Sequence, residues 1–360
     1  MVVVSYATLE VWYGDISDPL SKFNYSFIFV FLHGKVSPMN RSASALLAAA
    51  MSLFPFLSFA LDFEGPFQVR NQFPLFLSVN QPYLEQAATE SSFSVGLSHS
   101  SVFVMEDAVR WSAHLDIELT QLAVRYKQDI PGLFEIGIDV PVVRATAGFM
   151  DDPLAWYHRT FGFPDYGRST RPRNEFLYDV RRDGAPVIEG DKDRSGFGDV
   201  RMAFKKKIAG TDPLVSLMGT VELPTGNARI GYGSGSVDYG LAALLDKNIG
   251  QGSRMYANLG VVFPGDLKAR QTVALDTFYY AGSGIEVLAW PEIGLLAQIM
   301  VQTSPYPRTG ISQVDTTAII LAFGGRYRAG HGSYELSLTE DPNTSGAPDF
   351  VLALSFKKRI

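Results

Sequence analysis

The sequence predicts an all-β protein, an antiparallel transmembrane β-barrel of about 12 strands, with about 14 as the alternative count. Segments of about ten residues, the length of a tilted span, alternate apolar and polar side chains along most of the chain. Their polar faces carry Gly, Ser, Ala and Thr with occasional charges, which suits a crowded lumen. Aromatic residues stand near the segment ends, as the girdles of membrane barrels require: Tyr232, Phe263, Trp290, Tyr306, Tyr327 and Tyr334.

A secreted β-sandwich is the alternative fold, because alternation with period two alone fits both folds. A sandwich exposed to water would usually carry Lys and Glu more densely on its polar faces than these segments do. In lipid the sheet has to close, because an unpaired edge amide facing hydrocarbon costs several kcal/mol.

The composition excludes several function classes. The 360 residues are 46% hydrophobic and 19% charged, which fits neither a disordered chain nor a polytopic helical membrane protein. A net charge of −6 argues against a nucleic-acid partner. The chain has no cysteine, and its 5 histidines show no metal-ligand spacing. We therefore expect no disulfide, no metal and no cofactor.

Residues 39–60 have the layout of a signal peptide. Arg41 precedes an apolar stretch over residues 45–57, and the stretch ends in the small-x-small sequence Ser58-Phe59-Ala60. A retained membrane anchor is the alternative, but Pro55 interrupts the run, which is shorter than a transmembrane helix needs. The segment predicts export.

The signal peptide divides the rest of the chain. A secretory signal belongs at the terminus, so we interpret residues 1–38 as an overcalled start, with translation beginning at Met39. Residues 61–90 are expected to form an N-terminal periplasmic or plug segment. Residues 91–360 are expected to form the barrel.

The predicted strands follow one another through short turns. The alternation is clearest at residues 199–208, 215–223, 236–246, 254–263, 292–302, 333–339 and 349–357. It is weaker at residues 93–103, 114–126, 134–140, 174–180, 278–290 and 314–327. Within 114–126 the apolar phase slips at Thr120 and Gln121, which predicts a turn or a β-bulge.

One segment predicts a short helix at residues 151–161. Asp151-Asp152-Pro153 is typical of a helix N-terminus, and Gly162 ends the pattern. Polar loop sequence follows the helix. We expect the helix to cap or partly plug the barrel lumen.

Two short motifs carry a resemblance to a known family. The strand that begins with Gly196-Phe197-Gly198-Asp199 is followed by a strand that ends in Leu223-Pro224-Thr225-Gly226. This pair resembles the motif of the outer-membrane family linked to meta-pathway phenol degradation. With RNQFPL at 70–75 and the helical segment, the chain is similar to a related family of bacterial outer-membrane barrels whose function is not characterised.

The resemblance implies an outer-membrane barrel that acts as a pore for small or hydrophobic molecules, and it carries over no functional residue. The chain departs from such barrels at its end, because they finish on an aromatic residue that the insertion machinery reads. Here Phe356 is followed by Lys357, Lys358, Arg359 and Ile360.

Ionisable residues alternate with the apolar faces of the predicted strands. If the apolar side chains face lipid, the charged ones face the lumen, because charge at the bilayer midplane costs about 2 to 4 kcal/mol. The candidates for lumen-lining residues are Arg201, Lys205, Lys207, Glu222, Asp238, Arg254 and Glu286. They form either a salt-bridged lumen that stabilises the barrel or a polar ring that guides a solute.

The sequence thus predicts a passive channel or uptake route for small or hydrophobic solutes in the bacterial outer membrane, with outer-membrane lipid and the barrel-insertion machinery as partners. We do not expect an enzyme. The alternatives are a structural envelope barrel and a lipid-modifying enzyme, for which His158 or His99 would have to meet a serine in three dimensions.

Overall fold

The computed structural model describes residues 63–162, 167–250, 252–343 and 345–360. The predicted overcalled start at 1–38 and the predicted signal peptide at 39–60 lie outside these residues.

Antiparallel strands dominate the described residues. The strands are β1 (Ser92–Asp107), β2 (Trp111–Ile130), β3 (Phe134–Thr146), β4 (Leu177–Arg182), β5 (Ala185–Glu189), β6 (Ser195–Phe197), β7 (Val200–Ala209), β8 (Leu214–Leu223), β9 (Asp238–Asn248), β10 (Ser253–Phe263), β11 (Leu267–Lys268), β12 (Thr272–Val273), β13 (Phe278–Trp290), β14 (Ile293–Gln302), β15 (Ala318–Ala329), β16 (Gly332–Glu340) and β17 (Phe350–Arg359). The described residues also contain three helices, α1 (Pro74–Leu77), α2 (Asp151–Phe161) and α3 (Ser312–Asp315), and 3-10 turns at Arg168–Thr170 and Ala228–Ile230.

Twelve of these strands form a closed barrel. The ring runs β1-β2-β3-β7-β8-β9-β10-β13-β14-β15-β16-β17 and closes where Ser92 of β1 lies opposite Arg359 of β17. Closure leaves the ring without an unpaired edge. The predicted fold class is confirmed, and the count is 12 rather than 14.

The two ends of the barrel differ in their connections. At the short-turn end, the strands are joined by turns at residues 131–133, 210–213, 249–252, 291–292 and 330–331. At the long-loop end, the connections are residues 108–110, 147–199, 224–237, 264–277, 303–317 and 341–349. β1 begins and β17 ends at the short-turn end.

The outward faces of the strands form an apolar belt around the barrel. Every strand of the ring contributes an exposed large apolar side chain: Leu97, Leu122, Ile138, Phe204, Leu217, Leu241, Leu259, Tyr279, Ile299, Phe323, Leu336 and Leu354. Phe263, Trp290, Tyr327 and Tyr334 are exposed near strand ends, as predicted for a girdle. Tyr232 and Tyr306 were assigned to that girdle wrongly, because both lie buried under loops at the long-loop end.

The predicted turn or bulge at Thr120 and Gln121 is wrong. β2 is one continuous strand that pairs in unbroken register with β1 and β3 across this point. The apolar phase changes because the surroundings of the inward face change. Toward the long-loop end, inward-facing Leu115 and Leu119 pack in an apolar core, whereas nearer the short-turn end inward-facing Arg125 borders a polar lumen.

The strands outside the ring extend its wall at the long-loop end. β4 pairs with β2 beyond the barrel and carries β5, while β6 pairs with β3. The strand predicted at 174–180 is therefore real but does not belong to the barrel. The segment predicted at 314–327 begins instead as α3 and becomes β15 at Ala318.

The predicted helix is present as α2, but its expected place in the lumen is wrong. Tyr157 packs its ring against Phe350, which shares the outward face of β17 with exposed Leu352 and Leu354. Burial and the neighbouring Glu340 carboxylate raise the pKa of the Tyr157 hydroxyl, which is hydrogen-bonded to Glu340. α2 thus lies on the outer wall. No helix in the described ranges is long and apolar enough to cross a membrane.

Hydrogen bonds of Glu118 and Arg168 also hold α2 and the loop before it on the outer wall. Glu118 of β2 accepts hydrogen bonds from the amides of Phe149 and Met150. Arg168 donates to Asp151 of the helix at 2.9 Å and to Asp349 at 2.7 Å, next to the start of β17.

Candidate functional site

The lumen contains the N-terminal part of the described chain. Residues 63–91, here called the inner segment, are almost all buried. They bond to walls on opposite sides of the ring: Arg70 pairs with Asp139 of β3, and the Phe67 amide donates to Gln298 of β14 at 2.9 Å. A segment tied to opposite walls of a closed barrel lies between them, so the inner segment fills the lumen.

The inner segment enters and leaves at the short-turn end. The Phe63 carbonyl accepts a hydrogen bond from Arg359, and the Ser91 carbonyl accepts one from the amide of Ile360. Between these points it reaches the long-loop end, where Asn71 donates to the Gly346 carbonyl at 2.6 Å. The segment therefore runs along the lumen and back, with an outgoing arm (residues 63–72), an apex (residues 73–79) and a returning arm (residues 80–91).

Three arginines surround Tyr83 in the middle of the lumen. The guanidinium carbons of Arg70, Arg125 and Arg201 lie 5.1, 5.3 and 4.7 Å from the centroid of its ring. Asp139 pairs with both Arg70 and Arg125. Cations over an aromatic face gain stabilisation when they are shielded from water, so Tyr83 anchors the returning arm to this basic wall.

A second charged network fixes the start of the inner segment. Arg326, with only 1% of its side chain exposed, pairs with Glu286 at 2.6 Å and Glu335 at 2.5 Å. It also donates to the Gly65 carbonyl at 2.7 Å. Tyr256 donates to the other carboxylate oxygen of Glu286 at 2.8 Å. The network joins the inner segment to four strands of the barrel, β10, β13, β15 and β16.

Ion pairs also hold the returning arm near the short-turn end. Glu85 pairs with Lys127 of β2 at 2.6 Å, and Glu90 pairs with Lys357 of β17 at 2.6 Å. Lys205 of β7 donates to the carbonyls of Gln86 and Ala88. These buried pairs satisfy one another, which is the condition for keeping charges out of water at tolerable cost.

The wall formed by β8, β9 and β10 binds the returning arm chiefly through its backbone. Asp246 accepts hydrogen bonds from the amides of Ala87 at 2.7 Å and Ala88 at 3.0 Å. Asn258 accepts one from the Glu85 amide at 2.7 Å. Asp238 accepts one from the Asn80 amide at 3.2 Å. Carboxylate and amide oxygens thus supply partners for an arm that has no regular secondary structure.

The apex of the inner segment is apolar. Phe73, Leu75, Phe76 and Val79 are buried in a core with loop residues at the long-loop end. The Tyr306 hydroxyl donates to the Leu75 carbonyl at 3.1 Å, and the Tyr306 ring stacks on Phe76 with centroids 6.3 Å apart. Burial raises the pKa of Tyr306 above its usual value, so this hydroxyl stays protonated as a donor. The apex and the loops together cap the barrel.

Two adjoining cavities remain on one side of the lumen. The first, about 40 Å³, lies between the outgoing arm and the wall of β1, β2, β16 and β17. The second, about 20 Å³, continues toward the short-turn end and shares Gln68, Arg125, Glu335 and Ser355 with the first. A buried water needs roughly 10 to 15 Å³ of such space, so these cavities accommodate a few waters and no larger solute.

Most of the residues proposed as lumen-lining face the lumen. Arg201, Lys205, Glu222, Asp238 and Glu286 are buried on the inward faces of their strands against the inner segment or its neighbours. Arg254 is partly exposed toward the short-turn end, where its guanidinium lies 4.7 Å from the Phe63 ring centroid. Lys207 lies on the inward side of β7 but is exposed near the rim. They do not form one ring.

Other charged residues of the site were not among the candidates that the sequence analysis proposed. Asp139, Arg125 and Arg326 alternate with outward-facing apolar neighbours, so the alternation used to find Arg201 could have found them too. Arg70, Tyr83 and Glu85 follow no periodic pattern. Their partners depend on how the inner segment threads the barrel.

Similarity to known proteins places this architecture in a family. The model of the family described as protein of unknown function, DUF3187, matches residues 43–360. The chain belongs to this family. The predicted resemblance to an uncharacterised family of outer-membrane barrels is thereby confirmed. No curated protein matches the chain.

The DUF3187 chain shares its fold with a solved structure. It is similar to an outer-membrane channel from Pseudomonas putida F1, with a TM-score of 0.52 and 14% identity, covering 77% of this chain and 98% of that one. The NanC porin matches with a TM-score of 0.42 and 7% identity, covering 75% and 99% of the two chains. A mutant of the monoaromatic hydrocarbon channel TodX matches with a TM-score of 0.41 and 9% identity, covering 82% and 100%.

Proposed function

We propose that the protein is an outer-membrane channel for small solutes, with the inner segment controlling how far its lumen is open. The observation that carries the proposal is that the inner segment is bound to the barrel wall by hydrogen bonds and ion pairs. Barrel side chains such as Asp139, Asp246 and Arg326 bond to a separate stretch of chain in the lumen. A barrel with a polar interior can admit water and solutes when that stretch shifts.

The outer surface supports placement in the outer membrane. Exposed apolar side chains on every strand of the ring suit contact with outer-membrane lipid. Short turns at one end and long loops at the other match the periplasmic and extracellular ends of bacterial barrels, so we place the short-turn end in the periplasm. Export through the signal at 39–60 and delivery to the barrel-insertion machinery complete this proposal.

No observation favours the alternative of a lipid-modifying enzyme. His99 is held between Glu118 at 2.7 Å and Thr120 at 2.8 Å, and it stacks on Phe149 with centroids 5.2 Å apart. These contacts fix the loop before α2 on the outer wall. The side chain of His158, the other candidate, lies outside the part of the structure that is described.

Single-channel recording in planar bilayers tests the proposal. The full chain is expected to give small, discrete conductance steps. Arg70→Ala, which removes a tie between the inner segment and β3, is expected to increase the open time or the conductance. Arg229→Ala, which removes an exposed loop arginine, is the matched control and is expected to leave both unchanged.

Each variant is first checked for the shifted migration of an unboiled barrel on a cold detergent gel. A folded chain that leaves the bilayer closed in the wild type and in Arg70→Ala contradicts the channel proposal. It favours a structural envelope barrel instead.

A further inference from the structure

The two adjoining cavities lie along one wall, and here we call them together the lumenal cleft. Its outer side is formed by β1, β2, β16 and β17. Its inner side is formed by residues 67–72 of the outgoing arm in the first cavity, and by Glu64, Pro66 and Gln68 with Glu85, Gln86 and Glu90 of the returning arm in the second. The barrel wall here carries small inward-facing side chains: Gly96, Ser98, Ala123, Ser337, Ala353 and Ser355. Small side chains leave the arm and the wall apart.

On the other side of the lumen, the wall of β8, β9 and β10 binds the returning arm between Asn80 and Ala88. Asn80 donates through its backbone amide to Asp238 and through its side chain to Thr220. Ser216 donates to the Ala87 carbonyl at 2.6 Å, and Asp246 accepts hydrogen bonds from two backbone amides of the arm.

Along residues 67–72, the outgoing arm is tied across the cleft by Gln72 to Ser98 and by its Gln68 carbonyl to Arg125 at 3.3 Å. Glu64, Glu85 and Glu90 bond to Ser333, Lys127 and Lys357 at the short-turn end of the cleft. Widening the cleft along residues 67–72 therefore breaks the bonds of Gln72 and Gln68 and leaves those at the short-turn end in place.

Two buried polar atoms at the cleft have no partner among the described residues. The side chain of Arg70 lines the cleft with 5% exposure of the residue, and its Nε–H is unpaired. Gln72 lines it with 3% exposure, and its Oε1 is unpaired while its amide nitrogen bonds to Ser98. An unpaired buried donor or acceptor costs about 1–3 kcal/mol, so this pair favours water or a solute with both an acceptor and a donor.

The apex of the inner segment is held mainly by the burial of apolar side chains. Phe73, Leu75 and Phe76 are buried at 0–1% exposure in the cap. Fully burying such side chains stabilises by roughly 1.5–3 kcal/mol each, so withdrawing the whole segment would expose a core. Displacement of the outgoing arm within the lumen leaves that core in place.

We propose that solutes pass through the lumenal cleft, alongside a retained inner segment, and that Arg70 and Gln72 bind a small hydroxyl- or amide-bearing solute on the way. This inference rests on the proposed channel function and specifies its route and its solute class. The outgoing arm moves away from β1 and β17 to widen the cleft. The returning arm and the apex stay bound.

Cysteine accessibility tests the route, because the natural chain contains no cysteine. Ser98→Cys and Ser337→Cys place a thiol in the cleft, and Ser216→Cys places one against the returning arm on the other side. Ser337 and Ser216 are both buried serines on inward strand faces, so they form a matched pair. Each full-length variant is treated in liposomes with a small, polar, membrane-impermeant methanethiosulfonate.

We expect severalfold faster labelling at Ser98→Cys and Ser337→Cys than at Ser216→Cys, together with loss of most of the conductance on labelling. Equal or faster labelling at Ser216→Cys would overturn the cleft route. Fast labelling in the cleft with no conductance in any variant would leave the cleft as a solute-accessible site and reject the channel function. The two failures are therefore distinguishable.

Rates of solute entry into liposomes test the proposed solute class. Glycerol and acetamide are the probes in liposome swelling, and toluene-loaded vesicles are the apolar comparison. Gln72→Leu, which keeps the side-chain size but removes both the acceptor and the hydrogen bond to Ser98, is expected to slow glycerol and acetamide entry severalfold and to leave toluene exchange unchanged. Ser98→Ala, which removes only that hydrogen bond, is the control and is expected not to slow entry. Unchanged glycerol and acetamide rates in a folded Gln72→Leu barrel would overturn the assignment of the binding residues.

Discussion

The carboxylate of Asp199 accepts a hydrogen bond of 2.7 Å from the backbone amide of Gly226. Its second oxygen accepts one of 2.7 Å from the Ser234 amide. Asp199 ends the G-x-G-D sequence and Gly226 ends the L-P-T-G sequence, so the two short motifs that carry the family resemblance bind each other. Thr225 completes the contact by donating to the Gly198 carbonyl at 2.9 Å. The motif pair organises the long-loop end of β7 and β8.

Gly226→Ala is expected to destabilise the barrel. A Cβ at this position would stand 2.0 Å from the Tyr232 carbonyl oxygen, which belongs to the backbone and cannot move aside cheaply. Overpacking of this kind costs about 1–3 kcal/mol. The measurement is the temperature at which the folded band is lost on a detergent gel.

Gly219→Ala is the control for that experiment, because its Cβ would meet only the Leu241 side chain at 3.9 Å. We expect no appreciable loss of stability there. If the two variants melt together, the motif pair does not hold the loop end in the way described.

Arg326→Ala is expected to be among the more damaging substitutions in the lumen. It leaves Glu286 and Glu335 buried with fewer cations and frees the Gly65 carbonyl. Removing one partner of a buried ion pair costs about 3–5 kcal/mol. Arg110→Ala removes an exposed pair with Asp183 and is expected to change stability little. Urea titration of the folded barrel compares them, and equal midpoints would argue against a buried network.

The apolar belt predicts a position-dependent penalty for charge. Leu259 lies in the middle of β10 with 65% exposure, and Phe263 ends the same strand on the same face. Leu259→Arg is expected to cost about 2–4 kcal/mol on folding into lipid, and Phe263→Arg about 0–1 kcal/mol. Folding yield in liposomes measures both. A barrel that accepts Leu259→Arg as readily as Phe263→Arg would not have lipid at its outer face.

Glu118 is expected to control the attachment of α2 to the outer wall. Gly148 lies directly against the Glu118 carboxyl group, because a Cβ there would stand 1.7 Å from the carboxyl carbon. Glu118→Ala removes the acceptor of the Phe149 and Met150 amides, so trypsin should cleave faster in the arginine-containing region after the helix. Asp107→Ala, at an exposed acidic residue of β1, is the control. Unchanged cleavage in Glu118→Ala would show that other contacts hold α2.

Strand identity and sidedness were predictable from sequence because membrane strands have a strict period of two. Leu217, Leu241 and Leu259 face outward as the alternation required, and Arg201 and Glu286 face inward. The same rule gave a false bulge in β2. There the inward face passes from a polar lumen to an apolar cap within one strand, and a sequence pattern cannot distinguish a change of register from a change of surroundings.

The side on which α2 lies was not predictable, because an amphipathic helix can pack inside or outside a barrel. Tyr157 and Arg168 decide it through Phe350 and Asp349, residues distant in sequence. Tyr232 and Tyr306 show the same limit, since an aromatic residue near a strand end suits a lipid interface and a loop core equally well.

By itself, the sequence determined that this protein is an antiparallel membrane-type barrel with charges on its inner face, because alternation reports which side of a strand meets an apolar medium. Only the tertiary structure decided that residues 63–91 occupy the lumen and that Arg70, Arg125 and Arg201 converge on Tyr83. These contacts join an aperiodic segment to strands far along the chain. Their geometry depends on barrel closure, which no local pattern encodes.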